Sequence, residues 1–106
     1  MNAPIKRLVT RNRHRLRQLC AGLQVQELRL FGSAASGAFD PASSDIDVVV
    51  DFLNPEAPGI ADRYLALAEG LEAIFQRPVD LVTRQAMKNP VFRRTVEETS
   101  EPLYAA

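Results

Sequence analysis

The stretch Asp45-Ile46-Asp47-Val48-Val49-Val50-Asp51-Phe52 constrains the fold more than any other. As an extended strand from Ser44 to Phe52, it places Asp45, Asp47, Val49 and Asp51 on one face and Ile46, Val48 and Val50 on the other. Such a strand needs neighbours, and the chain offers three. Val25 to Phe31 reads as a strand with Leu28 and Leu30 on one face. Pro78 to Thr83 is a short strand around Val79-Asp80-Leu81-Val82, and Glu101 to Ala106 returns extended, with Leu103 and Tyr104 apolar.

Between the strands the period changes. Ile5, Leu8, Val9, Leu16, Leu19, Cys20 and Leu23 follow a helical spacing, interrupted around Asn12, and predict a helix over Pro4–Ala21 with Gly22 as its stop. Ala34, Ala35 and Ser36 suit a short helical turn. Residues 40–44 and 54–59 are loops by composition. A helix over Ile60–Gln76 turns Ile60, Tyr64, Leu67, Ala68, Leu71, Ile74 and Phe75 inward. Asn89 caps a last helix with Pro90 in its first position and Val91, Phe92, Thr95 and Val96 facing in. The expected architecture is α/β (α+β), a small mixed sheet packed on helices.

Composition narrows the chemistry. The 106 residues are the size of one domain, with 46% apolar and 25% charged residues and no apolar run long enough to span a membrane. One cysteine, Cys20, and one histidine, His14, exclude a disulfide framework and any Cys- or His-rich metal site. Cys20 reads as a buried hydrophobe, His14 as a surface residue, and Tyr104 as a packing residue. Thirteen Lys and Arg balance thirteen Asp and Glu, yet no acid precedes Glu27 while Lys6, Arg7, Arg11, Arg13, Arg15 and Arg17 do. The simplest reading is a solvated basic helix face; a nucleic-acid or protein partner is the less favoured alternative.

Chemistry must then come from carboxylates, hydroxyls and backbone amides. Asp45 and Asp47 project from one face, and two ionised carboxylates ~4 Å apart repel by about 4 kcal/mol at an effective dielectric near 20. No Lys or Arg lies between Arg29 and Arg63 to offset them. A hard divalent cation would, since Mg²⁺ takes one or two carboxylates and leaves positions for phosphate oxygens. If Asp80 lies on a neighbouring strand with its side chain on the same face, three acids converge as a two-metal site requires. Gly32 and Ser33, at a strand exit, offer close backbone approach, free amides and a hydroxyl to an anion. Each piece has a plainer reading: a Gly-Ser pair can be only a turn, Asp-x-Asp a solvated strand start, and Asp80 or Asp51 a surface acid.

In this order, Gly32-Ser33, Asp45-Ile46-Asp47 and Asp80 resemble the minimal nucleotidyltransferases of the polymerase-β-like superfamily, from about Leu28 to Val82. The resemblance extends to Val50-Asp51-Phe52 and more loosely to Pro102-Leu103-Tyr104-Ala105. It implies a palm-like nucleotidyltransferase fold over residues 1–106, with a basic N-terminal helix (1–22), a catalytic core (25–83) and a C-terminal helix and tail (89–106). Members of this size resemble MNT-domain antitoxins paired with HEPN-domain ribonuclease toxins. The resemblance implies Mg²⁺-dependent transfer of AMP from ATP to a tyrosine of the toxin. Asp45, Asp47 and Asp80 would hold two metal ions, Asp80 would help deprotonate the acceptor, and Gly32 and Ser33 would hold the β- and γ-phosphates. With no export signal, it also implies a bacterial or archaeal cytoplasm.

Two departures stand out. The spacer Ala34–Ser44 is one residue longer than is common in the family, and Ser36 stands where many relatives carry an arginine. They keep a second reading open, an antitoxin or adaptor that neutralises its partner by binding alone. A third is nucleotide transfer to a small molecule, against which a single domain without an obvious acceptor pocket argues.

Overall fold

In the computed structural model, which describes residues 2–37, 40 and 45–106, the alternating stretch is a central strand with helices over both of its faces. Strand β1 (Val25–Phe31) runs antiparallel to β2 (Ile46–Phe52), and β2 is parallel to β3 (Val79–Thr83). The last strand, β4 (Glu101–Ala105), closes the sheet against β1, giving the order β3-β2-β1-β4. Ser44, where the second strand was expected to begin, and most of the loop at 40–44 lie outside the described residues.

One face of the sheet carries the main core. Leu28, Leu30, Val48, Val50, Phe52 and Leu81 meet Ile5, Val9, Leu16 and Cys20 from the N-terminal helices and Leu67, Leu71, Ile74 and Phe75 from α4 (Ile60–Phe75). The opposite face holds a smaller cluster in which Val49 packs with Met87 and with Val96 of α5 (Pro90–Thr99), flanked by Phe31 and Val82. Val49, on the acid-bearing face of β2, is therefore buried too. Among the described residues no helix is long and apolar enough to cross a membrane.

The expected single N-terminal helix is two, α1 (Ala3–Arg11) and α2 (Arg13–Gly22). Asn12 breaks it: its Nδ2 donates to the Leu8 carbonyl at 2.8 Å while Arg15 donates to its Oδ1 at 3.4 Å. A short polar side chain that bonds the preceding turn competes with the helical ladder and bends the chain. Gly22 is the last helical residue rather than the residue beyond it, and the left-handed turn is made by Gln24 at φ 56°. On α5 the cap is as expected, Asn89 Oδ1 accepting from the Val91 and Phe92 amides at 2.9 and 3.3 Å. The inward face is not: only Val96 is buried, whereas Val91 is 73% and Phe92 48% exposed. The helix covers a small apolar patch, so one residue suffices to seat it, while Phe92 reaches Phe31 edge to face at 6.5 Å.

Arg63 of α4 ties the ends of β1 and β2 together. Its guanidinium donates to the carbonyls of Leu23, Gln24, Leu53 and Asn54 at 2.7–3.4 Å and stacks over the Phe52 ring at 4.9 Å. Gln24 and Asn54 both take left-handed backbone there, so without the arginine these turns lose the donors that hold their carbonyls. Arg63→Met, which keeps most of the stem, is expected to lower unfolding free energy by about 2–4 kcal/mol in urea titrations. A change below about 0.5 kcal/mol would contradict this role.

Candidate active site

The end of β1 and the starts of β2 and β3 meet at one end of the sheet. Phe31 is the register partner of Asp47, and Asp47 is the register partner of Asp80. In a parallel pair, register partners point to the same face of strands about 4.8 Å apart. Asp47 is half-buried, and Asp80 and Asp45 are exposed, Asp45 lying immediately before β2. The chain leaves β1 straight into the short helix α3 (Gly32–Ser36), with Ala34 and Ala35 buried, Ser33 half-buried and Ser36 exposed.

Gly32 is needed twice over at this corner. It takes φ +62°, a left-handed conformation that costs an L-residue roughly 1–2 kcal/mol, and a Cβ there would run into the Asp47 carboxylate. The turn after β1 and the Asp47 carboxylate are thus closely apposed. Glycine here lets the backbone approach the acid that a larger residue would push away.

The electrostatics of the three acids are linked. Asp47 is held above the ordinary carboxylate range first by its burial, then by Asp80 and then by Asp45. Among the described residues no hydrogen bond or ion pair reaches any of the three carboxylates, although the rest of this face is heavily paired. Nor, among those residues, is any group of three or more His, Cys, Asp or Glu side chains already gathered into a metal cage. The donors fit a magnesium ion by their chemistry: they are hard oxygens, they repel one another, and no Lys or Arg side chain pairs with them.

Other residues of the face fall elsewhere. Asp51, expected to be solvated, pairs with Arg84 at 3.5 Å and accepts from Gln85. Along β2 it stands about 13 Å from Asp47, four residues at ~3.3 Å each. It lines a cavity of about 230 Å³ with Arg29, Arg84, Met87, Glu97 and Ser100. Arg29 donates to the Ser100 hydroxyl and carbonyl at 2.7 and 3.0 Å, and Glu97 bonds Arg84 at 3.1 Å. These bonds pin α5 to the sheet. Sequence reading missed the network because its partners lie far apart in the chain; the one available signal was an arginine, Arg84, directly after an acid-bearing strand. Cys20 is fully buried, which pushes its thiol up to about 12 and suits a packing residue rather than a nucleophile. His14 is exposed.

The same fold recurs in known proteins. A family model described as a nucleotidyltransferase domain matches residues 11–101. A candidate protein adenylyltransferase of Methanocaldococcus jannaschii is 39% identical over 71% of this chain and 73% of its own length. The solved structure of a protein assigned as a minimal nucleotidyltransferase superposes with a TM-score of 0.76, at 28% identity over 97% of both chains. A chain from the crystal structure of a toxin–antitoxin with AMP-PNP superposes with a TM-score of 0.61 at 26% identity, covering 90% of this chain and 74% of that one. The sheet order, the glycine turn against an acid-bearing strand and these likenesses agree: the chain belongs to the nucleotidyltransferase domain family.

Proposed function

We propose that this nucleotidyltransferase is an antitoxin that transfers AMP from ATP to a tyrosine of a cognate HEPN-domain ribonuclease and thereby silences it. The observation that carries the reading is Asp47, half-buried, in register with Asp80 and wedged against Gly32. The M. jannaschii relative is named for protein adenylylation, and the neighbour with AMP-PNP is a toxin–antitoxin structure, which supports a protein acceptor and an adenine nucleotide.

Asp45, Asp47 and Asp80 are the residues that would hold two Mg²⁺ ions. When bound, such ions neutralise the triphosphate and the oxygens gained and lost in an in-line displacement. Gly32 and Ser33 hold the β- and γ-phosphates through backbone amides and the Ser33 hydroxyl. Asp80, the most open of the register pair, takes the proton from the acceptor hydroxyl, whose oxygen attacks the α-phosphorus. The bond from that phosphorus to the β-bridging oxygen breaks, and pyrophosphate leaves. Asp47, fixed by the sheet, sets the geometry of the site. Residues 25–83 supply all of these groups, and α1, α2 and α5 brace them.

Ser36 removes a cation from the phosphate side, so grip on the nucleotide rests on the turn itself. Restoring it with Ser36→Arg is expected to lower the KM for ATP about fivefold, the effect of roughly 1 kcal/mol from a solvent-exposed charge-assisted hydrogen bond. An unchanged KM would place Ser36 away from the phosphates.

Two outcomes test the roles of the acids. In a reaction with Mg²⁺, ATP and a cognate HEPN-domain protein, Asp47→Asn should abolish the mass increase of AMP on that protein that the wild type is expected to produce. Asp47→Asn that still transfers AMP at the wild-type rate would refute its place in the site.

The second outcome needs no partner. Because the folded-state pKa of Asp47 is raised, its favourable contribution is present below its ordinary value of 3.8 and is lost as pH rises through the folded value. At neutral pH its ionised form costs the Mg²⁺-free protein stability. Asp47→Asn should therefore melt higher than wild type at pH 7, with the gap closing below pH 3.8. Added Mg²⁺ should raise the wild-type Tm more than that of the variant. An Asp47→Asn protein that melts lower at pH 7 would contradict the charge conflict.

A further inference from the structure

Most of the chain's basic side chains beyond residue 28 have partners: Arg29, Arg84, Arg93 and Arg94 are paired with carboxylates and Arg63 with backbone carbonyls, while Lys88 is exposed. Lys6, Arg7, Arg11, Arg13 and Arg17 are exposed, and among the described residues no ion pair reaches them. Arg7 and Arg11, and again Arg13 and Arg17, stand one helical turn apart, where like charges repel. α1 and α2 carry this repulsion with no acid of their own to relieve it.

The same side chains line three adjoining depressions. Lys6, Arg7 and Arg11 form the first, Lys6 and Arg13 the second, and Arg13 and Arg17 the third, which runs onto β4 at Tyr104. Shared residues, Lys6 and Thr10 and then Arg13, join them into one groove lined by no carboxylate. From Lys6 to Arg17 it runs over α1 and onto α2. It reaches the β4 edge of the sheet, opposite the β3 edge that carries Asp80.

We propose that this groove binds single-stranded nucleic acid, its cations against successive phosphates and the half-buried Tyr104 ring offering a face for a base to stack on. A cationic track with an aromatic platform is the combination by which proteins hold single strands without reading sequence. An acidic protein segment would use the cations alone, whereas Tyr104, which packs against the main core, also lines the end of the groove. The proposal is independent of the transfer reaction, since none of its residues belongs to that site.

The test is fluorescence anisotropy of the full chain with short labelled oligouridylate and oligothymidylate, between about 50 and about 200 mM salt. Binding to either supports the proposal. With about four phosphates engaged, the log–log salt slope should be about −3, and Arg13→Gln/Arg17→Gln should reduce its magnitude by about 1.4. Tyr104→Leu, which keeps apolar packing, should weaken binding about fivefold or more at an unchanged slope, while Tyr104→Phe should bind as wild type. No binding of either oligonucleotide at about 50 mM salt would overturn the proposal. So would polyglutamate binding as tightly as the oligonucleotides, or a folded Tyr104→Leu variant that binds as wild type.

Discussion

The like charge of Asp47 and Asp80 across the β2–β3 pair is the constraint on which the rest of the structure turns. Parallel pairing in this register leaves two acids on neighbouring strands facing the same way, with Asp45 adding to the field at the strand's start. A sheet built only for stability would not keep that arrangement, because apolar or oppositely charged neighbours relieve it at no cost to the fold. The conflict persists because the sheet is held from elsewhere. β2 is buried on both faces, Arg63 clamps its far end to β1, and α5 is pinned by the Arg29–Ser100 bonds. Stability is concentrated away from the acids, which among the described residues have no ion-pair partner.

Contact between Gly32 and Asp47 extends the same logic to the anion side. A strand that ends in a left-handed glycine against a neighbouring carboxylate brings the turn proposed to receive phosphate close to the acids proposed to hold its counterions. The turn and the acid are thereby set by one register, Phe31 opposite Asp47, and a slip of one residue would send Asp47 into the core. On the proposed reading, catalytic geometry and sheet pairing are a single specification.

Much of this was legible in residue order. Alternation marked β2, Leu28 and Leu30 marked the core face of β1, and the Asn89-Pro90 pair marked the start of α5, because each rests on a local rule of period or capping. What escaped was non-local. The interrupted spacing around Asn12 does not by itself say that this residue will bond the Leu8 carbonyl and split the helix. Val91 and Phe92 fit an inward helical face by spacing, but α5 meets a patch too small to bury them. Asp51 looked like its neighbours Asp45 and Asp47, yet Arg84, thirty-three residues later, pairs with it and takes it out of that group. At the candidate site, the residue types and their order were readable in advance. The β2–β3 register that sets Asp80 beside Asp47 came only with the sheet.

The account stands or falls on whether the acids share metal in the presence of nucleotide. Isothermal titration of Mn²⁺ into the protein saturated with AMP-PNP measures this directly, with Asp80→Asn as the comparison, since Asp80 is exposed and its loss leaves the core untouched. The account predicts saturable binding to the wild type and a loss of about tenfold or more in affinity for Asp80→Asn, as expected when a charged partner is removed from a shared ion. Equal Mn²⁺ affinity in the two proteins would contradict it.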